Sequence, residues 1–245
     1  MYDKFLPHLV SHLETESLVL DIGANVGDSL AAMYLANPKL NFICFEPEEV
    51  YYQYLIKVRS RLLEFGFPGN ITTKMAFVGL NIAKANLTSK QGTAKATFED
   101  IDSSQFSSQS LDAILQGSPL AKLRLIKSDV DGFDYDVIFS ANNIIGEYKP
   151  MIFFECMVEN LEQKDNFLSV FRYLIDKKYT DFFIFDNYGQ YILKVTSTQG
   201  IQEIIEYIWR QRSDIGTRTF WYFDVLAVVE SDRDFASQIV ADYHK

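Results

Sequence analysis

The chain has 245 residues, of which 48% are hydrophobic and 15% aromatic, and this is enough to bury a sizeable core. Its formal net charge of −10 opposes binding to nucleic-acid phosphates or anionic lipid, and no basic patch offsets that charge. Since the sequence also lacks an apolar signal core and a run long enough to span a bilayer, we expect a cytoplasmic protein that binds neither nucleic acid nor membrane.

Apolar strands alternate with amphipathic helices along almost the whole chain, beginning with a short helix over 2–14. The predicted strands are 17–22, 41–46, 71–76, 82–88, 123–128, 151–156, 182–186, 191–195 and 219–229. The later predicted helices are 28–36, 48–65, 111–115, 134–145, 163–177, 199–211 and 232–243. This alternation predicts an α/β fold with a doubly wound, mostly parallel sheet. We expect seven strands in that sheet, with an antiparallel strand at its C-terminal edge.

Neither a linker nor an internal repeat divides the chain, so we predict a single domain. Residues 1–16 are expected to form an N-terminal helical segment, 17–230 the core and 231–245 a C-terminal helix. Residues 89–109 are rich in Ser, Thr, Gln and Asp and lack apolar periodicity. That composition is typical of a loop excursion, or of a strand followed by a loop.

The histidines and cysteines show no pattern of a metal site or a nucleophile. His8 and His12 share a helix face at i, i+4 spacing without an evident third ligand, so we expect them to be solvated or to cap the helix. Cys44 and Cys156 lie inside predicted buried strands, and we expect free thiols there.

The run from Val19 to Asp28 points to a cofactor pocket, because an apolar strand ends in an acid, turns on Gly23 and Gly27, and enters a helix. In an open α/β sheet, such a turn lies at the carboxyl edge, where ligands bind. The glycines permit a tight turn, and the free amides of the following helix can face an anionic group. A second strand ends in Glu46, which is placed to accept hydrogen bonds from both hydroxyls of a ribose.

The spacing of the glycines discriminates between cofactors. A dinucleotide site needs a middle glycine where the backbone approaches the pyrophosphate, and Asn25 stands at that position. Asp21 adds a carboxylate, which disfavours a pyrophosphate and favours an amino group or a sulfonium. These residues favour S-adenosylmethionine over NAD. The alternatives are an NAD-dependent oxidoreductase and a non-catalytic Rossmann-like binding module.

The chain resembles the FkbM family of class I S-adenosylmethionine-dependent methyltransferases over about residues 18–229. The matching motifs are the opening turn Asp21–Gly27, the strand end Phe45-Glu46-Pro47, the segment Ser110–Ile114, the Lys-x-Asp-x-Glu-Gly-like segment Ile126–Gly132 and the fifth strand Pro150–Glu155. Asp131 stands where the family prefers Glu. The resemblance implies a Rossmann-like fold, S-adenosylmethionine as cofactor, and O-methylation of a sugar or secondary-metabolite hydroxyl. It leaves open whether the protein is a homodimer.

The predicted cofactor-binding residues follow from the two strand ends and the signature segment. They are Asp21, Gly23, Asn25, Gly27, Glu46, Pro47 and Asp129. No metal ligand is assigned among them.

Acidic residues cluster after the predicted strand 123–128, beginning with Asp129 and Asp131. A hydroxyl acceptor gains from a general base, and paired carboxylates can supply one because each raises the pKa of the other. Asp129 is the first catalytic candidate, followed by Asp131 and Glu155. Two alternatives remain open for the cluster: a divalent-cation site, or a structural network around Lys127.

Overall fold

The computed structural model describes residues 4–80, 85–90, 93–98, 108–211 and 220–243. Its strands are β1 (Leu18–Ile22), β2 (Asn41–Phe45), β3 (Ile71–Lys74), β4 (Ala85–Lys90), β5 (Thr93–Phe98), β6 (Leu123–Ser128), β7 (Met151–Cys156), β8 (Tyr179–Asp186), β9 (Tyr191–Val195) and β10 (Phe223–Val229). Its α-helices are α1 (Phe5–Ser11), α2 (Asp28–Ala36), α3 (Glu49–Leu63), α4 (Leu111–Ile114), α5 (Asp134–Ser140), α6 (Asn142–Tyr148), α7 (Leu161–Asp176), α8 (Thr198–Trp209) and α9 (Arg233–Tyr243).

The main sheet has the strand order β3-β2-β1-β6-β7-β10-β8-β9. The pairs from β3 to β7 are parallel, whereas β10 is antiparallel to both β7 and β8, and β9 is antiparallel to β8. This confirms the prediction of a doubly wound, mostly parallel α/β sheet. Because β1, β2 and β6 run in one direction, their carboxyl ends meet at one edge.

One detail of the predicted sheet was wrong. Among the described residues, the sheet contains eight strands instead of seven, since the hairpin of β8 and β9 adds both of its strands to it. The predicted antiparallel C-terminal edge is confirmed, since β9 is the edge strand and is antiparallel to β8. The last strand, β10, lies inside the sheet. All seven residues of β10 are buried, and an interior position between β7 and β8 satisfies its backbone on both sides and covers both of its faces.

Helices cover both faces of the sheet, and each face has its own apolar core. On β1, Leu20 and Ile22 pack with side chains from α4 to α8, while Val19 packs with side chains from α1, α2, α3 and α9. Asp21 points to the second of these faces, because side chains alternate along a strand. A charged group is therefore enclosed within an otherwise apolar layer.

Several element boundaries differ from the predictions. The predicted helix 134–145 is two helices, which meet at Ala141. The polar region 89–109 contains β5, which pairs with β4 as a separate two-stranded antiparallel sheet. Residues 91–92 and 99–107 of that region lie outside the described residues, as do 244–245 of the predicted C-terminal helix.

The cysteine prediction is confirmed, since Cys44 and Cys156 are both buried and neither forms a disulfide. Cys44 lies on β2 beside Asp21, and Cys156 ends β7. Within the described parts of the chain, no helix combines the length and the apolar character that crossing a membrane requires.

Candidate active site

The opening turn between β1 and α2 packs directly against its neighbours in the sheet. The backbone N–H groups of Gly23 and Ala24 both donate to the carbonyl oxygen of Phe45, at 3.0 Å. Gly23 adopts a φ of 75°, and a Cβ added there would lie 2.0 Å from the carbonyl oxygen of Asp129. Only glycine therefore fits at this position, where the turn meets the backbone that follows β6.

Glu46 follows β2 and connects the opening turn to the start of α3. Its Oε2 accepts a hydrogen bond from the backbone N–H of Asn25, and its Oε1 accepts one from the N–H of Glu48, both at 2.9 Å. Its side chain is buried, and burial raises the pKa of Glu46 to about 7 even though the two amide hydrogen bonds oppose the shift. A carboxylate oxygen can accept more than one hydrogen bond, so each oxygen of Glu46 can also accept one from a hydroxyl of a ligand.

A buried ion pair lies beneath the opening turn. Lys127 Nζ is 3.1 Å from Asp21 Oδ1, donates to the carbonyl oxygen of Gly23 at 3.1 Å, and lies 3.6 Å from Asp129 Oδ2. Asp21 and Lys127 face each other in the register of β1 and β6, and Asp21 Oδ2 accepts a hydrogen bond from Ser29. Asp21 is thus not among the residues that line the adjoining cleft. Its carboxylate is engaged from below by Lys127 and from the side by Ser29.

A cleft of about 720 Å³, partly open to solvent, lies beside this turn at the carboxyl ends of β1, β2 and β6. Six of the predicted site residues line it: Gly23, Asn25, Glu46, Pro47, Asp129 and Asp131. Gly27 does not, because it lies at the base of α2 with a φ of 92°, where a Cβ would lie 3.1 Å from Leu55. Asn25, with a φ of 48°, is the non-glycine residue that the turn holds in a left-handed conformation.

One wall of the cleft was not predicted from the sequence. The segment 76–78 and the side chains of Tyr51 and Phe133 give this wall an apolar and aromatic character. Backbone hydrogen bonds to Gln109 hold the segment, and Asp136 Oδ2 accepts the N–H of Leu80 at 2.9 Å. The signal available in the sequence was the surplus of aromatic residues, which does not identify positions.

The four aspartates after β6 do not share one environment. Asp129 and Asp131 line the cleft, and the side chain of Asp129 is 45% exposed. Asp134 begins α5 but is fully buried, and its Oδ1 accepts a hydrogen bond from Ser128 Oγ at 2.5 Å. Burial raises the pKa of Asp134 above its ordinary value. Asp136 is also buried, and its carboxylate holds the apolar wall by accepting the N–H of Leu80.

Glu155 lies on β7, opposite Asp224 on β10. It is 7% exposed, and its Oε1 has no hydrogen-bond partner among the residues that the structure describes. Burial raises the pKa of Glu155 well above its ordinary value, and the neighbouring carboxylates of Asp129, Asp134 and Asp224 raise it further. Glu155 is therefore close to the cleft, although it is not one of the residues that line it.

The sequence allows a divalent-cation site as one alternative for the acidic residues after β6. Among the residues that the structure describes, no three His, Cys, Asp or Glu side chains are grouped as a metal ion would require. The contacts observed for Lys127 are those of the network alternative, in which its ammonium joins Asp21 and Asp129.

The comparisons with known proteins agree with this arrangement of strands and turns. Residues 21–183 match the family model of the methyltransferase FkbM domain. A search of curated proteins gave no match.

Solved structures with a similar fold include a methyltransferase FkbM from Methylobacillus flagellatus KT, 16% identical with a TM-score of 0.46. That match covers 88% of this chain and 45% of the other, so this chain spans less than half of that protein's length. An rRNA methylase from Streptococcus thermophilus is 13% identical, with a TM-score of 0.47, over 91% of this chain and 93% of that one. A precorrin-6y C5,15-methyltransferase from Geobacter metallireducens GS-15 is 10% identical, with a TM-score of 0.42. The match covers 92% of this chain and 85% of that one.

Replacing Lys127 with Met should destabilise the fold, because Asp21 would remain buried without a cation. We expect the free energy of unfolding to fall by about 3–5 kcal/mol, measured by urea denaturation. Lys122→Met is the control, since Lys122 forms an exposed ion pair with Glu16 and should contribute less than about 1 kcal/mol. The double variant Asp21→Asn, Lys127→Met should recover part of the loss. A double variant no more stable than Lys127→Met would contradict this account.

The raised pKa of Glu46 predicts a pH-dependent stability. The folded-state pKa of about 7 lies above the ordinary value of 4.5, so the contribution of this group is greatest below pH 4.5 and is lost as the pH rises through 7. Glu46→Gln removes the titration. The stability of the wild type relative to this variant should therefore fall by about 2 kcal/mol between pH 5 and pH 8, measured by urea denaturation at each pH. A difference that does not vary with pH would refute the prediction, and Glu64→Gln, at an exposed position, serves as control.

Proposed function

The chain belongs to the FkbM methyltransferase domain family, and from this premise we propose that it transfers the methyl group of S-adenosylmethionine to a hydroxyl of a sugar or a secondary metabolite. The observation that carries the proposal is the cleft in which Glu46 and Asp129 face one space beside the opening turn. Membership of the family supports methyl transfer. The choice of a hydroxyl acceptor is supported by the carboxylate of Asp129 in the same cleft.

The residues of the cleft fit S-adenosylmethionine. The two oxygens of Glu46 have capacity for the ribose hydroxyls, and the apolar wall with Tyr51 and Phe77 suits an adenine ring. Asn25 lines the cleft where a dinucleotide site would have glycine, which favours this cofactor over NAD.

When bound, S-adenosylmethionine supplies a methyl group that its sulfonium has already activated. The residues of the chain then have three tasks: to orient the acceptor hydroxyl, to exclude water, and to remove the hydroxyl proton. The first two tasks fall to the walls of the cleft. The third requires a carboxylate that is accessible from the cleft.

We assign the role of general base to Asp129. Its side chain is 45% exposed and lines the cleft, and Lys127 Nζ lies 3.6 Å from its Oδ2 and offsets part of its charge. Glu155 is the weaker candidate, because its raised pKa favours the protonated form, which cannot accept a proton. Asp131 lines the cleft as well, but with a φ of 53° it belongs to the tight turn before α5.

Glu46→Ala should weaken the binding of S-adenosylhomocysteine, the demethylated product, by about 1–3 kcal/mol, because ribose hydroxyls would lose their acceptor. Isothermal titration calorimetry measures the dissociation constants of the wild type and the variant. Glu64→Ala is the matched control, since Glu64 is exposed at the end of α3. An unchanged dissociation constant would overturn the assignment of Glu46. A wild-type protein that does not bind the cofactor product would overturn the proposed function itself.

Asp129→Asn should lower kcat at least about tenfold while leaving cofactor affinity within about twofold, because the amide cannot accept the hydroxyl proton. Transfer of labelled methyl groups to a panel of sugars measures kcat, and calorimetry measures the affinity. Asp165→Asn, at an exposed position on α7, makes the same chemical change away from the cleft. If Asp129→Asn weakened cofactor binding strongly and left kcat at saturating cofactor unchanged, Asp129 would be a cofactor ligand instead of a base.

A further inference from the structure

Three carboxyl groups lie side by side across three neighbouring strands, and we call Asp129, Glu155 and Asp224 the acidic row. Glu155 and Asp224 are directly opposite each other in the antiparallel pair of β7 and β10. Asp129 comes one residue after Ser128, whose partner on β7 is Phe154, so Asp129 is level with Glu155. Neighbouring strands are about 4.8 Å apart, which sets the spacing along the row.

The three side chains share one face of the sheet. Glu155 and Asp224 are register partners, and partners on adjacent strands project to the same side. Asp129 projects to the side of Lys127, whose Nζ reaches its carboxylate. That side is the face of Phe153, the register partner of Lys127 and the residue two positions before Glu155. The row therefore begins in the cleft at Asp129 and leads away from it under β7 and β10.

The row brings three carboxyl groups together on one face of the sheet. Lys127 lies at one end of it and is divided between Asp21, Asp129 and the carbonyl oxygen of Gly23. At the centre of the row, the Oε1 of Glu155 is buried, and no atom of the described part of the chain forms a hydrogen bond with it. A buried acceptor without a donor destabilises the protein, so a ligand that donates a hydrogen bond here would recover the lost stability.

An ammonium group meets this requirement better than a hydroxyl does. It carries three N–H donors and a positive charge, whereas a hydroxyl carries one donor and no charge. Burial and the surrounding carboxyl groups of Asp129, Asp134 and Asp224 raise the pKa of Glu155, and a cation in the row would oppose this shift by favouring the carboxylate form. Because Glu155 is already desolvated and held by the strand, little reorganisation opposes such binding.

We propose that the methyl acceptor carries a protonated amine, and that this amine binds on the acidic row while the acceptor hydroxyl lies in the cleft at Asp129. The acceptor class is thus an amino alcohol or an amino sugar. This inference rests on the proposed function, because it concerns the second substrate of the same site. It adds a positively charged anchor group to the acceptor and assigns Glu155 to binding that group.

The test compares ligands that differ only in the amine. Calorimetry with the protein saturated with S-adenosylhomocysteine measures D-glucosamine against D-glucose, and 2-aminoethanol against ethylene glycol. We expect each amine to bind at least about tenfold more tightly than its hydroxyl partner, a size typical of a desolvated charge pair. Equal binding within both pairs, or no binding by any of the four compounds, would overturn the proposal.

Variants test whether the preference for the amine arises at the acidic row. Glu155→Gln keeps the shape but cannot form the carboxylate that would pair with the ammonium, and it should reduce the preference for the amine to less than about threefold. Asp224→Asn provides a second removal of charge from the row, and circular dichroism checks that both variants fold. Glu64→Gln changes the net charge equally at an exposed site and should keep the full preference. A preference that survives in both Glu155→Gln and Asp224→Asn would refute the location.

The same calorimeter separates the two levels of inference. Failure of the wild type to bind S-adenosylhomocysteine counts against the proposed function. Absence of an amine preference in protein that does bind it counts against the acidic row alone.

Discussion

The ammonium of Lys127 is the point on which the ligand edge of the sheet depends. Burying a charge is unfavourable, and a buried cation that loses its anion destabilises a fold by several kcal/mol. The strands that carry Asp21 and Lys127 are therefore held in the one register that pairs the two charges. The same ammonium binds the carbonyl oxygen of Gly23, which fixes the opening turn. Once the turn is fixed, the N–H of Asn25 lies where Glu46 can accept it, and the cleft has its shape.

Asp129 joins two regions of different chemistry. Toward β1 and β2, the cleft is lined by the opening turn, Glu46 and an apolar wall, which together suit a nucleoside. Toward β7 and β10, the acidic row presents Glu155 and Asp224 on a single sheet face. Both regions exist because parallel strands bring their carboxyl ends to one edge, and because β10 enters antiparallel and brings its amino end to that edge.

What the sequence could predict was local, and what it could not predict was long-range. Apolar runs and glycine spacing predict the opening turn and the strand that ends before Glu46, and the predicted bounds lie within a residue or two of the observed ones. The interior position of β10 depends on strand order, which no local pattern contains. The apolar wall at 76–78 depends on pairing with Gln109, some thirty residues away. Asp21 lies beneath the turn because side chains alternate along β1 and both faces of this strand are buried. The motif gives the position of Asp21 in the chain but not the direction of its side chain.

The insertion of β10 between β7 and β8 also orders the assembly of the protein during synthesis. Until residues 223–229 have left the ribosome, β7 and β8 have no common neighbour, and each exposes an unpaired edge of a kind that invites association with other chains. The strands around the opening turn are complete by residue 128, so that part of the sheet can form while the chain is still growing. The acidic row receives Asp224 only when the last strand closes the gap, which makes the row the last part of this edge to be built.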